Sequence, residues 1–183
     1  MALTESTMLE LGTTAPGFML RDVVSDRYIS SDGMRGTPML VMFICTHCPY
    51  VKHIEQGLAA LGVDYADLPI NIVAISSNDA DNYPDDNPAG LKSQAQRLGF
   101  RFPYLYDQTQ QAARAYHAAC TPDFFLFDAG MRLVYRGQFD SSRPGNGVTV
   151  TGQDLRAAMD AVLAGEPVPA EQQASIGCNI KWK

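Results

Sequence analysis

The chain has 183 residues, 46% of them hydrophobic, which is enough to bury a core within one domain. Its formal net charge of −6 argues against nucleic acid or an anionic membrane as a partner. Four cysteines in this length do not make a disulfide scaffold, and no run reaches the roughly 18 apolar residues of a membrane span. The acidic N-terminus lacks the basic and apolar regions of a signal peptide, which predicts a cytoplasmic protein.

We expect one domain over residues 1–183, with an N-terminal extension at 1–37 and a C-terminal tail at 166–183. The tail is rich in turn residues but ends in Ile180 and Trp182. Two large apolar side chains gain by burial, so the tail is predicted to dock on the domain.

The first predicted elements lie in the N-terminal extension. Apolar runs at 18–20 and 28–29 are separated by polar residues, and Asp32-Gly33 supplies turn chemistry. This pattern predicts a small β-hairpin lying beside the main sheet.

Residues 39–44 form a continuous apolar run, typical of a strand buried on both faces. The run ends in Cys45-Thr46-His47-Cys48, and a helical pattern follows at once. The apolar residues of that pattern are Val51, Ile54, Leu58 and Leu61. Two thiols therefore lie where a buried strand passes into a helix.

The start of a helix favours a thiolate, because its first amide groups lack partners and the helix dipole is positive there. A thiolate at Cys45 would be stabilised in this position and would attack disulfides or peroxides. Cys48, three residues on, lies on the same helical face and would resolve the mixed disulfide. His47 stands between the thiols and, when protonated, would favour the thiolate further. This interpretation requires side chains that reach each other and solvent.

Four other interpretations of the cysteine pair stay open. The pair could be half of a zinc site, although the second pair of a structural zinc finger is absent. A looser metal site could use His47, His53 and Cys178. A non-catalytic metal-binding role could use Cys45, Cys48 and His47. Both cysteines could also be inert core residues, since free cysteine is often buried.

Further strands are predicted at 70–76 and 103–106, with a helix at 91–98 that ends at Gly99. The polar loop at 78–88 lacks the glycine and glutamate of an EF-hand, so we expect a solvated acidic loop. Because it follows the carboxyl end of a strand, this loop could overhang the active site.

Asp107 and Gln110 have the spacing of a capping box for the next helix. The inner face of that helix is predicted to contain Ala112, Ala115, Tyr116 and Ala119. His117 is expected at the surface rather than in a ligand site.

A strand at 125–128 follows Pro122, and an antiparallel partner at 132–137 follows the turn at 128–130. A closing helix is marked by Thr151, Asp154, Leu155, Met159 and Val162. This order of elements is that of the thioredoxin fold, an α/β fold with a central mixed β-sheet flanked by helices.

One set of motifs carries a family resemblance. Its residues are Cys45-Thr46-His47-Cys48-Pro49-Tyr50, Cys120-Thr121-Pro122-Asp123, Tyr135-Arg136-Gly137 with Asp140 and Arg143, and Gly177-Cys178-Asn179-Ile180-Lys181-Trp182. With them the chain resembles a peroxiredoxin-like member of the thioredoxin superfamily, in the alkyl hydroperoxide reductase/thiol-specific antioxidant group. The resemblance spans nearly the whole chain.

The resemblance implies that Pro122 is the cis-proline facing the cysteine pair. The backbone of Thr121 would then be available to pair with an extended segment of a substrate. Cys48 would align with the peroxidatic cysteine of peroxiredoxins, and Cys45 would replace their active-site threonine. Pro122 falls near the position of their catalytic arginine. Because both lost groups help to polarise the O–O bond, the chain favours disulfide exchange over peroxide reduction.

Two cysteines remain outside the pair. Cys120 directly precedes Thr121-Pro122, so a buried structural thiol and a redox partner are both open. Cys178 either anchors the tail or acts as a third redox cysteine over the active site.

The sequence therefore predicts a thiol–disulfide oxidoreductase with a redox-active Cys45–Cys48 pair, serving redox homeostasis and antioxidant defence. A thiol peroxidase with Cys48 as the peroxidatic cysteine is the catalytic alternative. The predicted partners are a protein or small-molecule disulfide or peroxide and a thiol electron donor. Thiol chemistry needs no cofactor, and none is predicted.

Overall fold

The computed structural model describes residues 3–183, which form ten β-strands and four α-helices. The strands are β1 (Leu3–Glu5), β2 (Met19–Asp22), β3 (Tyr28–Ser30), β4 (Met39–Phe43), β5 (Asn71–Ser76), β6 (Tyr104–Tyr106), β7 (Cys120–Thr121), β8 (Asp123–Phe127), β9 (Leu133–Gly137) and β10 (Ile176–Asn179). The helices are α1 (Pro49–Asp64), α2 (Pro88–Leu98), α3 (Gln111–Ala115) and α4 (Gln153–Leu163).

Seven strands form one mixed sheet in the order β3-β2-β6-β5-β4-β8-β9. β4 lies in the interior of this sheet, parallel to β5 and antiparallel to β8. All five residues of β4 are buried, which confirms the predicted strand covered on both faces. The α/β fold class with a central mixed sheet and flanking helices is likewise confirmed.

β4 joins two hydrophobic cores. Leu40 and Met42 pack in one core with residues of α1 and α4, while Val41 and Phe43 pack in the other with Tyr116. Successive side chains of a strand point to opposite faces, so one short strand contributes to both layers. The loop that leaves its carboxyl end, which contains the cysteine pair, therefore starts from a strand packed on both sides.

The C-terminal tail adds a strand to a second, smaller sheet. β10 pairs antiparallel with β1 on one side and with β7 on the other. Beyond β10, Ile180 is buried, and Trp182 lies under the guanidinium of Arg114 at 4.6 Å. The tail therefore docks, as its apolar residues predicted.

The predicted N-terminal hairpin exists as β2 and β3, but it does not lie beside the main sheet. β2 also pairs with β6, so the hairpin forms one edge of the seven-stranded sheet. The buried carboxylate of Asp22 accepts a hydrogen bond from the Tyr104 amide at 2.9 Å and ties the two strands together. Strand pairing depends on partners distant in the chain, which local residue patterns do not specify.

The third helix differs from its prediction. α3 is a short helix of five residues in which Ala112 and Ala113 are buried while Ala115 is exposed. Tyr116 is buried as expected, and His117 is exposed as expected.

No helix within residues 3–183 is both long enough and apolar enough to span a membrane.

Gln110 does not form the predicted capping box. Its side-chain amide donates hydrogen bonds to the carbonyl oxygens of Ser77 and Lys181, at 2.7 and 2.8 Å. Its side-chain oxygen accepts from the Lys183 amide at 3.0 Å. Gln110 thus binds the C-terminal tail rather than the start of α3, a contact between segments more than 70 positions apart.

Tyr116 supports the layer behind β4 and β8, and its removal should destabilise the fold. Its ring contacts four other aromatic rings, those of Phe18, Phe43, Phe125 and Phe127. We expect Tyr116→Ala to lower the free energy of unfolding by about 3–5 kcal/mol, because it leaves a large cavity. Urea denaturation measures this change. Tyr28→Ala is the control, since Tyr28 is 70% exposed and its loss should cost less than about 1 kcal/mol. Equal effects would contradict the prediction.

Candidate active site

The two cysteines occupy different positions at the junction of β4 and α1. Cys45 lies two residues beyond the end of β4. Cys48 is the N-cap residue of α1, and Pro49 is its first helical residue, where a missing amide hydrogen costs little. The helix start that sequence analysis assigned to Cys45 therefore belongs to Cys48.

The electrostatic environments of the two thiols differ accordingly. A hydrogen bond from the Cys45 thiol lowers the pKa of Cys48 more strongly than burial raises it. The thiol of Cys178 and the backbone amides of Val51 and Cys178 lower it further. Burial raises the pKa of Cys45, and its contact with Cys48 and the charge of Asp86 raise it again. The surroundings thus favour a thiolate at Cys48, whereas the sequence pattern suggested one at Cys45.

Thr121 and Pro122 face the cysteine pair. The peptide bond between them is cis, as the family resemblance implied. The Cys48 thiol lies 3.2 Å from the Thr121 carbonyl oxygen, to which it can donate, and Cys45 Sγ lies 3.4 Å from Thr121 Oγ1. The backbone of Thr121 is not available to a substrate, however, because it pairs with Cys178 of β10.

Cys178 and Cys120 have different surroundings. Cys178 Sγ lies 2.8 Å from Cys48 Sγ, so the tail places a third thiol in contact with the pair. The thiol of Cys120 donates to the Pro122 carbonyl oxygen at 3.6 Å, and burial raises its pKa. The structure brings Cys178 into the site and gives Cys120 the surroundings of a structural thiol.

The site is closed to solvent. Cys45 is 1% exposed, Cys48 is 0% exposed and Cys178 is 5% exposed. Gly177 lies so close to the Thr121 carbonyl oxygen and the Pro122 ring that a Cβ atom there would collide with them. The accessible cysteine pair expected from the sequence is therefore covered, and β10 contributes to that cover.

Asp86, which sequence analysis left in a solvated loop, is fully buried under the cysteine loop. Its carboxylate accepts hydrogen bonds from the amide and hydroxyl of Thr46, at 2.8 and 2.6 Å. It also accepts from the side-chain amide of Asn78 at 2.8 Å and contacts His47 Nδ1 at 2.5 Å. Burial opposes ionisation of Asp86, but these hydrogen bonds outweigh it and lower its pKa. This loop thus reaches the cysteine loop, and Asp86 within it is buried rather than solvated as expected.

His47 is held by Asp86 on one side and by the ring of Tyr83, stacked at 5.3 Å, on another. Among the described residues, one group of three potential metal ligands has its ligand atoms all within 4.8 Å of one another, and it consists of Cys45, His47 and Asp86. The predicted set of Cys45, Cys48 and His47 is not assembled, because this group lacks Cys48. The predicted set with His47, His53 and Cys178 is not assembled either, because the group lacks His53 and Cys178.

The Tyr135-Arg136-Gly137 motif holds the tail near the site. The Arg136 guanidinium donates to the side-chain oxygen of Gln172 at 2.8 Å. Gly137 adopts a φ of +134° against the Gln173 carbonyl oxygen, where a Cβ would collide. Ser175 donates its hydroxyl hydrogen to the Pro122 carbonyl oxygen at 2.5 Å. The tail is thus fastened directly to the cis-proline segment.

One of the solved structures with a similar fold also has a closely similar sequence. An uncharacterized conserved protein from Geobacillus kaustophilus is 50% identical, with a TM-score of 0.97, and the match covers 100% of this chain and 97% of that chain. The thioredoxin domain of a thiol-disulfide oxidoreductase from Bacteroides vulgatus is 16% identical, with a TM-score of 0.59, over 71% of this chain and 89% of that chain. The second likeness shows the thioredoxin-like fold alone.

Sequence comparison gives a related result. The thiol-disulfide oxidoreductase ResA of Geobacillus kaustophilus (strain HTA426) is 27% identical over 125 residues, which cover 68% of this chain and 67% of that protein. Residues 11–136 match the AhpC/TSA family. Because that match covers well over half of the 183 residues, the chain belongs to the AhpC/TSA family.

Proposed function

We propose that the protein is a thiol–disulfide oxidoreductase in which the Cys48 thiolate is the attacking group. The observation that supports this role is the lowered pKa of Cys48 at the start of α1, beside the thiol of Cys45. The thiolate is the nucleophile in disulfide exchange, so a low pKa keeps the reactive form populated at neutral pH. This assignment exchanges the roles that the sequence predicted for the two cysteines.

The reaction balances with the two cysteines alone. Because β10 helps to cover Cys48, the tail must move aside before a substrate can enter. The Cys48 thiolate then attacks one sulfur of the substrate disulfide and displaces the other as a thiolate. Cys45 then loses its proton and attacks Cys48, which forms the Cys45–Cys48 disulfide and releases the second substrate thiol. The substrate gains two electrons, and a thiol donor returns two electrons to the protein by the same kind of exchange.

The partners we propose are a protein or small-molecule disulfide and a thiol electron donor. The relative named thiol-disulfide oxidoreductase ResA supports this chemistry. A cytoplasmic location and a part in antioxidant defence are proposals that rest on the sequence.

Peroxide reduction by Cys48 is the second candidate function, favoured by the same lowered pKa. Against it, Cys45 and Pro122 occupy the positions where the family resemblance places a threonine and an arginine. Those side chains would donate hydrogen bonds to the peroxide oxygens. One equivalent of hydrogen peroxide should therefore leave little Cys48 sulfenic acid, detected by a dimedone adduct. Rapid, saturable peroxide consumption would reverse this ranking.

A redox titration tests the proposed function. We expect equilibration in dithiothreitol buffers of graded potential to convert two thiols of each chain to a disulfide reversibly, with Cys48 in every disulfide. Counting thiols after acid quenching and maleimide labelling measures the conversion. Cys48→Ser should abolish it, whereas Cys120→Ser should leave it unchanged.

Failure of Cys48 to enter any reversible disulfide would contradict the proposed function. A folded Cys48→Ser protein, checked by circular dichroism, that still lost two thiols would contradict it equally.

The lowered pKa of Cys48 predicts a shifted pH profile. Below its pKa the thiol is protonated and unreactive, and above it the thiolate reacts, so alkylation by iodoacetamide should have a midpoint well below the about 8.5 of free cysteine. Mass spectrometry of Cys48 at each pH measures the rate. In Cys45→Ala the midpoint should rise, because the hydrogen bond from Cys45 is the largest single cause of the lowering.

Cys120→Ala is the matched control, since it removes another buried thiol and should leave the Cys48 midpoint in place. A wild-type midpoint at or above that of free cysteine would show that Cys48 is not the stabilised thiolate.

A further inference from the structure

The tail strand occupies the edge at which a substrate would be expected to dock. β10 runs antiparallel to β7, with Cys178 paired to Thr121 and Asn179 paired to Cys120. Peptides commonly bind by adding a strand to an open sheet edge. Here that edge, next to the cis-proline, is filled by the chain's own C-terminal segment.

The register of this pairing places the sulfur of Cys178 next to the sulfur of Cys48, the group that we propose to react. Cys178 Sγ lies 2.8 Å from Cys48 Sγ, against about 2.05 Å for a disulfide bond. Cys48 Sγ also contacts the carbonyl oxygen of Thr121, the residue paired with Cys178. The two sulfurs can therefore bond after a small side-chain movement.

The residue before Cys178 must be small to fit against this sheet edge. Gly177 packs against the Thr121 carbonyl oxygen and the Pro122 ring, so any larger residue would push β10 away. Gly33, by contrast, has open space where its Cβ would stand. A close backbone approach of this kind requires glycine.

Anchors on both sides hold the segment in register. On the N-terminal side, Ser175 exchanges backbone and side-chain hydrogen bonds with Ser6 and donates to Pro122. On the C-terminal side, the Lys181 amide donates to Asn78 Oδ1 at 2.9 Å. Asn78 in turn donates to Asp86, which holds the cysteine loop. The tail and the cysteine loop are thus joined through two buried side chains, Asn78 and Asp86.

We propose that the C-terminal strand is an internal substrate: Cys178 is a third redox cysteine that forms a disulfide with Cys48. The inference rests on the proposed function, because Cys48 is the reacting sulfur in both. It also implies the substrate class, an extended peptide with a cysteine opposite Thr121 and a small residue before it.

The exchange balances in atoms and electrons. When Cys48 is joined to a substrate sulfur, Cys178 loses its proton and attacks Cys48 Sγ. The bond between Cys48 and the substrate breaks, the Cys48–Cys178 bond forms, and the substrate thiolate takes up a proton. Cys45 can then attack Cys48 in the same way, which forms the Cys45–Cys48 disulfide and returns Cys178 to a thiol without a net change in electrons. The thiol donor reduces either disulfide.

Tryptic peptides distinguish the two disulfides directly. Cys45 and Cys48 share the peptide 36–52, whereas Cys178 lies in the peptide 157–181. The reduced full-length protein is mixed with a slight excess of oxidised glutathione, quenched in acid at short times, alkylated, digested and analysed by mass spectrometry. We expect the main early product to be the peptides 36–52 and 157–181 joined by a disulfide, which we call the link.

Single substitutions assign the sulfurs. The link should persist in Cys45→Ser and in the control Cys120→Ser, and it should vanish in Cys48→Ser. In Cys178→Ser only the internal disulfide of 36–52 should form. A link that persisted in Cys48→Ser, or an internal disulfide alone in the wild type, would overturn the inference.

A glycine variant tests the docking with all four thiols present. Gly177→Ala should lower the yield of the link several-fold and raise that of the internal disulfide, because β10 can no longer seat against Thr121. Gly33→Ala is the matched control and should behave as the wild type. Equal yields in the two variants would overturn the internal-substrate role. If the Cys45–Cys48 disulfide formed but the Cys48–Cys178 disulfide did not, the internal-substrate role would fail and the proposed function would stand. If neither disulfide formed, the proposed function would fail as well.

Discussion

The contact on which the site depends is the pairing of Thr121 with Cys178. Both residues use their backbone groups for this pairing, and it brings the sulfur of Cys178 to Cys48. Without it, β7 would present unpaired backbone groups beside the cis-proline, a ready site for another strand. The tail therefore completes a sheet and covers the reactive sulfur in a single arrangement.

Because the site is buried, the groups in contact with each cysteine determine which of the two is the thiolate. A charge removed from water must be stabilised by hydrogen bonds, since desolvation alone disfavours it. Cys48 receives them from two neighbouring thiols, from the Val51 amide near the start of α1 and from the Cys178 amide of β10, whereas Cys45 lies near the negative charge of Asp86. The two cysteines, three residues apart, thus differ in pKa because Cys48 is stabilised by the Cys45 thiol and its other hydrogen-bond donors, whereas burial, Cys48 and Asp86 raise the pKa of Cys45.

Asp86 links the parts of the site that the chain places far apart. Its carboxylate fixes Thr46 between the two cysteines, and through Asn78 it connects to the backbone of Lys181 in the tail. Networks of buried hydrogen bonds are costly when they are only partly satisfied. Displacing the tail would free Asn78, so the conformation of the cysteine loop and the position of the tail are physically coupled.

Local residue patterns were sufficient to predict several of the elements. The apolar run of β4, the helix after Cys48 and the hairpin of β8 and β9 are each encoded by neighbours, and together they specified the fold class. Long-range contacts place β2 in the main sheet, bury Asp86 beneath the cysteine loop and seat the tail at the edge of Thr121. They also bring Cys178 to Cys48, whose pKa the neighbouring Cys45 lowers most. Local periodicity carries no information on which distant groups will meet, nor on how two nearby thiols will be oriented.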